Sequence, residues 1–235
     1  MSEESIARQE MHRVATHVVS RARAAANEYI SLRVLPGGIG TPAFSAAGRR
    51  VRIVGSWLVV EDEAANGGHV GTAPIVGSTL RELAALAQVD LDAPYDAGAD
   101  TPPLGELDAH IDVAADALET IGEWFAVAGR ALDQAVIELT GRGLQVTGPR
   151  LWPEHFDVAI EVHLAGGDGI NLGGSPGDGF SAEPYLYVGP WGADRPGDPD
   201  YWNAPFGAVL TRGDLVERGA ESAGRFFAEG VGRLT

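Results

Sequence analysis

RLWPEHFDVAIEVHLAGGDGINLGGSPGDGFSAEPYLYVGPW, residues 150–191, decides the fold class. Short runs of alternating apolar and polar residues follow one another, with only Gly- and Pro-rich turns between them. That is the pattern of half-buried strands joined by tight turns. No helical stretch separates them, so successive strands pair antiparallel and not through crossover helices. Taken as extended, RLWPEHFDVAIEVH puts Trp152, Phe156, Val158, Ile160 and Val162 on one face. His155, Asp157, Ala159, Glu161 and His163 fall on the other. Pro153 has no N–H for a ladder and marks an edge or a strand start. In EPYLYVGPW, Pro184, Leu186 and Val188 share one face, while Glu183, Tyr185, Tyr187 and Trp191 share the other. Paired, these strands bring His155 and Asp157 to face the tyrosines across one polar, aromatic surface.

Outward from this core the chain reads mostly helical at its ends. Residues 4 to about 30 carry an apolar stripe of Ile6, Val14, Val18, Ala22 and Ala25, with Ser2 or Ser5 as cap. His12 and His17 lie five apart, roughly 140° round an α-helix, and read as a solvated pair. VRIV (51–54) and WLVV (57–60) flank Gly55-Ser56, a two-residue hairpin signal. Ser78 opens a short helix with Leu80, Leu83, Ala84 and Ala87 inward, and residues 92–105, with three prolines, form a long loop. A helix follows from Val113 to about Thr140, with Leu118, Ile121, Phe125, Leu132, Val136 and Leu139 inward, and a last one runs from Asp214 to Leu234. The expected fold is one α+β domain over 1–235: a mainly antiparallel sheet with helices packed against it, and helices at both termini. A division into halves 1–105 and 106–235 is the alternative.

Composition excludes several chemistries. The 235 residues include no cysteine, which removes disulfides, thiol nucleophiles and zinc-thiolate sites. All 17 basic residues are arginine, so there is no P-loop lysine and no Schiff-base lysine. A net charge of −16 argues against nucleic acid and against an anionic membrane surface as partner. No apolar run is long enough to span a bilayer, and MSEESIARQE lacks the features of a secretory leader, so a cytoplasmic protein is expected.

Residues 151–206 concentrate nine of the 17 aromatics, and nine acids against the single base Arg195. Three readings compete for this surface. It is a half-exposed polar sheet face. It is a pocket whose tyrosines and tryptophans stack on a sugar or similar polyol while acids accept its hydroxyls. Or His155 and Asp157, with Asp178 or Glu183, hold a divalent metal. GGSPG (173–177) matches a nucleophile-elbow pattern, but Pro176 removes the oxyanion-hole N–H, and no histidine follows His163. It reads as a turn. PGGIG (36–40) lacks the context of a phosphate loop, and GDPDYWN (197–203) lacks the closing glutamate of a calcium loop.

The segments LRVLPGGIGTPAF, PYDAGADTPPLG, RLWPEHFDVAIEV, GGSPGDGFSAEPYLYVGPW and YWNAPFGAVL resemble an uncharacterised protein family of unknown function common in actinobacteria. The later part also resembles a broader family with a strand–turn–strand–helix ending. The resemblance implies a bacterial, cytoplasmic protein and assigns no activity or cofactor.

The favoured functional reading is a small-molecule-binding protein with an acidic, aromatic pocket in 152–206. Its ligand-binding residues are His155, Asp157, Asn171, Asp178, Glu183, Tyr185, Tyr187, Trp191 and Trp202. With one base among nine acids, the ligand is expected to be neutral or cationic and not phosphorylated. The alternatives are a divalent-metal-dependent hydrolase using His155 and Asp157, with Glu183 as a further ligand, and a structural or interaction protein.

Overall fold

The computed structural model describes residues 2–27, 29–63, 69–219 and 221–235, with backbone alone at His69 and Val70. In chain order its elements are α1 (Glu3–Val14), a π-helical segment (Ala15–Ser20), α2 (Arg21–Asn27), β1 (Arg33–Leu35), β2 (Gly38–Gly40), β3 (Arg50–Val54), β4 (Trp57–Glu61), β5 (His69–Pro74), α3 (Leu80–Ala87) and α4 (Ala115–Gly141). Then come β6 (Gln145–Val146), β7 (Arg150–Trp152), β8 (Asp157–His163), β9 (Gly169–Ser175), β10 (Tyr185–Pro190), β11 (Ala208–Thr211), α5 (Arg212–Arg218) and α6 (Ser222–Leu234). The fold is α+β, with antiparallel pairing in both of its sheets. Backbone contacts divide the chain into two compact units, Met1–Ala126 with Leu151–Phe156, and Val127–Arg150 with Asp157–Thr235. The divisions fall inside α4, inside β7 and just before β8, not at 105/106.

The first unit is a meander in the order β1-β2-β3-β4-β5 with helices against it. Its β3–β4 hairpin turns at Gly55-Ser56 with Val54 opposite Trp57, and Gly55 takes φ +56°, as a tight two-residue turn requires. The Ser2 hydroxyl caps α1. Thr79, one residue beyond the expected Ser78, caps α3 in a reciprocal box with Glu82. The π-helical segment is buried along its whole length, including Thr16, His17 and Ser20.

The expected solvated histidine pair is corrected. The His12 Nε2–H donates to the Pro153 carbonyl at 2.6 Å, and the Thr16 hydroxyl donates to the same oxygen at 2.8 Å. The His17 Nε2–H donates to the Pro102 carbonyl at 2.7 Å. The sequence hides this because the acceptors lie far away, on loops whose prolines have carbonyls but no N–H of their own.

The expected continuous strand through 150–163 is corrected as well. Residues 153–156 form a turn closed by Phe156 N–H to the Trp152 carbonyl at 2.8 Å, and Phe156 sits at φ +54°. A bulky residue seldom takes that conformation. Here the ring stacks on His12 at 4.8 Å and meets Phe125 edge-on at 5.2 Å, so its burial holds the backbone. β8 starts only at Asp157.

In the second unit the sheet order is β11-β10-β9-β8-β6. Val158, Ile160 and Val162 of β8, Leu172 of β9, Leu186 and Val188 of β10 and Leu210 of β11 are buried on one face. The expected closing helix is two helices, α5 and α6, with Gly219 at φ +82° ending the first. Glu28 and Ala220, which fall within the expected helices, lie outside the described residues.

Burial lowers the His12 pKa from 6.5 to about 4, and lowers that of His17 too, with Arg21 and Arg13 adding to the effect. The unfolded chain therefore takes up protons first as pH falls. This contribution is complete above about pH 6.5 and is lost between about 6.5 and 4. Urea midpoints across this range are expected to fall more steeply for wild type than for His12→Gln, with a difference on the order of 2 kcal/mol at the acid end. Parallel profiles would contradict the assignment.

Candidate functional site

Antiparallel register, not the sequence pattern alone, sets the second face of the second unit's sheet. Ala159, Gly173, Tyr187 and Val209 form one row across β8, β9, β10 and β11, and Ser175, Tyr185 and Thr211 line up in another. Glu161 opposes Asn171 one row further on. Period-two alternation thus brings Asp157, Tyr185 and Tyr187 to one face, as expected, and the β9 register adds Asn171 to it.

What they do there differs from an open pocket. The Tyr187 hydroxyl donates to Asp157 Oδ2, and the Tyr185 hydroxyl donates to Asp178 Oδ2, both at 2.5 Å. Asp157 and Tyr185 are only 8% and 4% exposed. Burial, together with the neighbouring carboxylates, raises both phenol pKa values above the ordinary 10. At neutral pH these tyrosines are hydrogen-bond donors and not bases. Phe180 lies edge-on to Tyr185 at 5.7 Å and to Phe206 at 5.1 Å, while Phe206 meets Tyr187 at 6.3 Å. Asp178 Oδ1 also accepts the backbone N–H groups of Phe180 and Ser181, which fixes the turn that carries Phe180.

The GGSPG stretch has a packing reason. A Cβ on Gly173 would stand 2.4 Å from the Tyr187 ring, and one on Gly174 would stand 2.6 Å from the Ala128 Cβ of α4. Adjacent strand residues point to opposite faces, so two neighbouring glycines admit an aromatic ring on one side and a helix on the other. Ser175 is 3% exposed at the end of β9, and Pro176 follows it with no helix next.

The remaining expected site residues are dispersed. Trp191 donates its indole N–H to Asn171 Oδ1 at 2.8 Å and meets His163 edge-on. Glu183 Oε1 accepts Gly213 N–H at 2.7 Å in the first turn of α5. Trp202 donates to the Pro196 carbonyl at 2.9 Å, with Arg195 over its ring. His155 belongs to the first unit, in the 153–156 turn, where its Nδ1 lies 3.0 Å from Asp100. It does not share a strand face with Asp157, because the turn breaks the alternation. Among the described residues no three His, Asp or Glu side chains converge as a metal set. His155, Asp157 and Glu183 each have a separate partner.

Sequence reasoning missed a cavity of about 430 Å³ within the second unit. Its wall includes Asp200, Tyr201 and Asn203 from the loop before β11, Leu210 from β11, Arg218 from α5, and Arg225, Phe226 and Glu229 from α6. The Tyr201 hydroxyl donates to the Phe226 carbonyl at 2.8 Å, which ties the loop to α6. Asn203 bonds both the N–H and the C=O of Val209. The one available signal was GDPDYWN, whose Asp200 and Asn203 do line this wall. The α6 contribution was hidden because i,i+4 pairs such as Arg233–Glu229 look like any solvated helix face.

No protein-family model, curated protein or solved structure matches the chain. Among the described residues no helix is long and apolar enough to cross a membrane.

Gly173→Ala is expected to lower stability by about 1–3 kcal/mol through overpacking against Tyr187. Gly179→Ala, where a Cβ meets nothing within 4 Å, is the control and should stay within roughly 0.5 kcal/mol of wild type. Equal costs in chemical denaturation would refute the close-approach account. A fluorophosphonate probe is expected to leave Ser175 unlabelled, and stoichiometric labelling by mass spectrometry would overturn the reading of GGSPG as packing.

Proposed function

We propose that this chain is a small-molecule-binding protein whose ligand occupies the cavity of the second unit, and that the ligand is small, polar and neutral or cationic. The observation that carries the reading is the cavity itself. Its volume of about 430 Å³ falls in the range of ligand pockets, and its wall combines an apolar floor with a few polar groups. Phe226 and Leu210 offer the apolar surface, and three acids stand on the wall against two arginines. Among the described residues the Asp200 carboxylate makes no ion pair, so a negative group is left for a ligand to meet. This reading puts the site at the sheet edge and not on the tyrosine face expected from residues 152–206, because the tyrosine–aspartate pairs there bond each other.

A thermal-shift screen of sugars, amines and nucleotides at moderate salt tests this. Neutral or cationic compounds are expected to raise the midpoint. Glu229→Trp, which adds bulk to the wall from a half-exposed position on α6, is expected to abolish the rise while far-UV circular dichroism stays native. Stabilisation by nucleotides alone, or an unchanged response in Glu229→Trp, would count against the cavity as the site.

A further inference from the structure

We infer that the ligand is a small zwitterion, with its carboxylate between Arg218 and Arg225, its ammonium on Asp200, and an apolar body over Phe226. The inference rests on the cavity reading above and adds the chemical class.

The charged groups on the wall are not equally available. Asp214 accepts the Thr211 hydroxyl at 2.9 Å and receives Arg218 at 3.5 Å, which ties it to the first turn of α5. Glu229 is held by Arg233 at 2.6 Å. Arg218 and Arg225 have only loose pairs, at 3.5 Å to Asp214 and 3.5 Å to Glu221. Their side chains are 64% and 67% exposed, and Glu221 is 91% exposed. Ion pairs of this kind contribute little, so both guanidinium forks are open to a better acceptor. A carboxylate matches such a fork bidentately.

Asp200 supplies the opposite sign. Its backbone N–H is held by Asp198 Oδ1 at 3.0 Å, so the turn is shaped by a neighbouring residue and the Asp200 carboxylate remains for another partner. The neighbouring Tyr201 bonds the Phe226 carbonyl and stacks under Arg233, which sets this loop along the later turns of α6. Arg225 stands near the start of α6, and the Glu229 level lies about 6 Å further along its axis. The wall thus carries its two signs at separate positions. A phosphorylated ligand would set its second charge against the unpaired Asp200, and a simple amine would leave both guanidinium groups on their loose pairs. A zwitterion answers both, and it is neutral overall.

Isothermal titration of the full chain with a matched trio tests the assignment: L-phenylalanine, phenethylamine and hydrocinnamate share one body and differ only in charge. L-leucine and γ-aminobutyrate vary the body and the charge separation. A zwitterion is expected to bind about tenfold or more tighter than the matched amine or acid. Asp200→Asn should bring the zwitterion down to the level of the acid, and Arg225→Gln down to the level of the amine. Both are surface substitutions, and native circular dichroism confirms folding. If phenethylamine or hydrocinnamate binds as tightly as the best zwitterion, or if neither variant changes the affinity, the zwitterion assignment fails. No heat from any zwitterion at millimolar concentration also overturns it. Binding of an amine or sugar that Glu229→Trp abolishes would then leave the cavity reading standing, and no binding by any class would remove both.

Discussion

The carbonyl of Pro153 anchors the first unit. It accepts two hydrogen bonds from one helix, the His12 Nε2–H and the Thr16 hydroxyl, and both of its lone pairs are used. Around it the same logic repeats. Ser20 donates to the Ile30 carbonyl at 2.6 Å, His17 to that of Pro102, and Arg21 to that of Ala93. Each acceptor lies in a segment without a regular ladder. A buried carbonyl without a donor is costly, and an all-apolar helix would supply none. The N-terminal helical stretch therefore carries donors where hydrophobic patterning would put only valine and alanine. The wider turn at Ala15–Ser20 changes the angular spacing from that of an α-helix, and all six of its residues are buried. Leu151–Phe156 keeps its place in the first unit through these bonds, the Leu32–Leu151 backbone pair and the ring of Phe156.

Alternation was legible wherever a strand has one buried face. Tyr185, Tyr187 and Asp157 share a face because period two requires it, and the α4 stripe from Leu118 to Leu139 follows from helical spacing in the same way. Gly55-Ser56 announced its hairpin. Three things were not legible. Pro153 is as compatible with a strand start as with a turn, and no residue-type signal marks Phe156 as left-handed. The burial of His12 and His17 depends on acceptors 141 and 85 residues away. The cavity is assembled from residues on a loop, a strand and two helices, each of which reads alone as ordinary surface.

The acidic surplus is used in two ways. Asp157 and Asp178 face phenols, which donate and stay neutral, so these carboxylates are incorporated into the packing of the sheet. Other acids meet guanidinium groups. Arg49 grips Asp62 through two nitrogens at 2.9 and 3.0 Å, and Arg81 grips Asp108 at 2.7 and 3.3 Å. A chain without lysine has only planar forks as cations, and its ion pairs become directional where geometry allows.

The amide of Asn203 has an effect beyond the cavity it lines. β11 is the last strand in its sheet, and such a strand presents unpaired backbone groups that another chain can extend. Asn203 occupies both groups of Val209, donating at 3.1 Å and accepting at 2.8 Å, as a neighbouring strand residue would. With β11 only four residues long, one side chain caps much of what a foreign strand would need. The sheet ends at this edge in an amide that mimics backbone, and the Val209 groups it occupies are not open to templated strand addition.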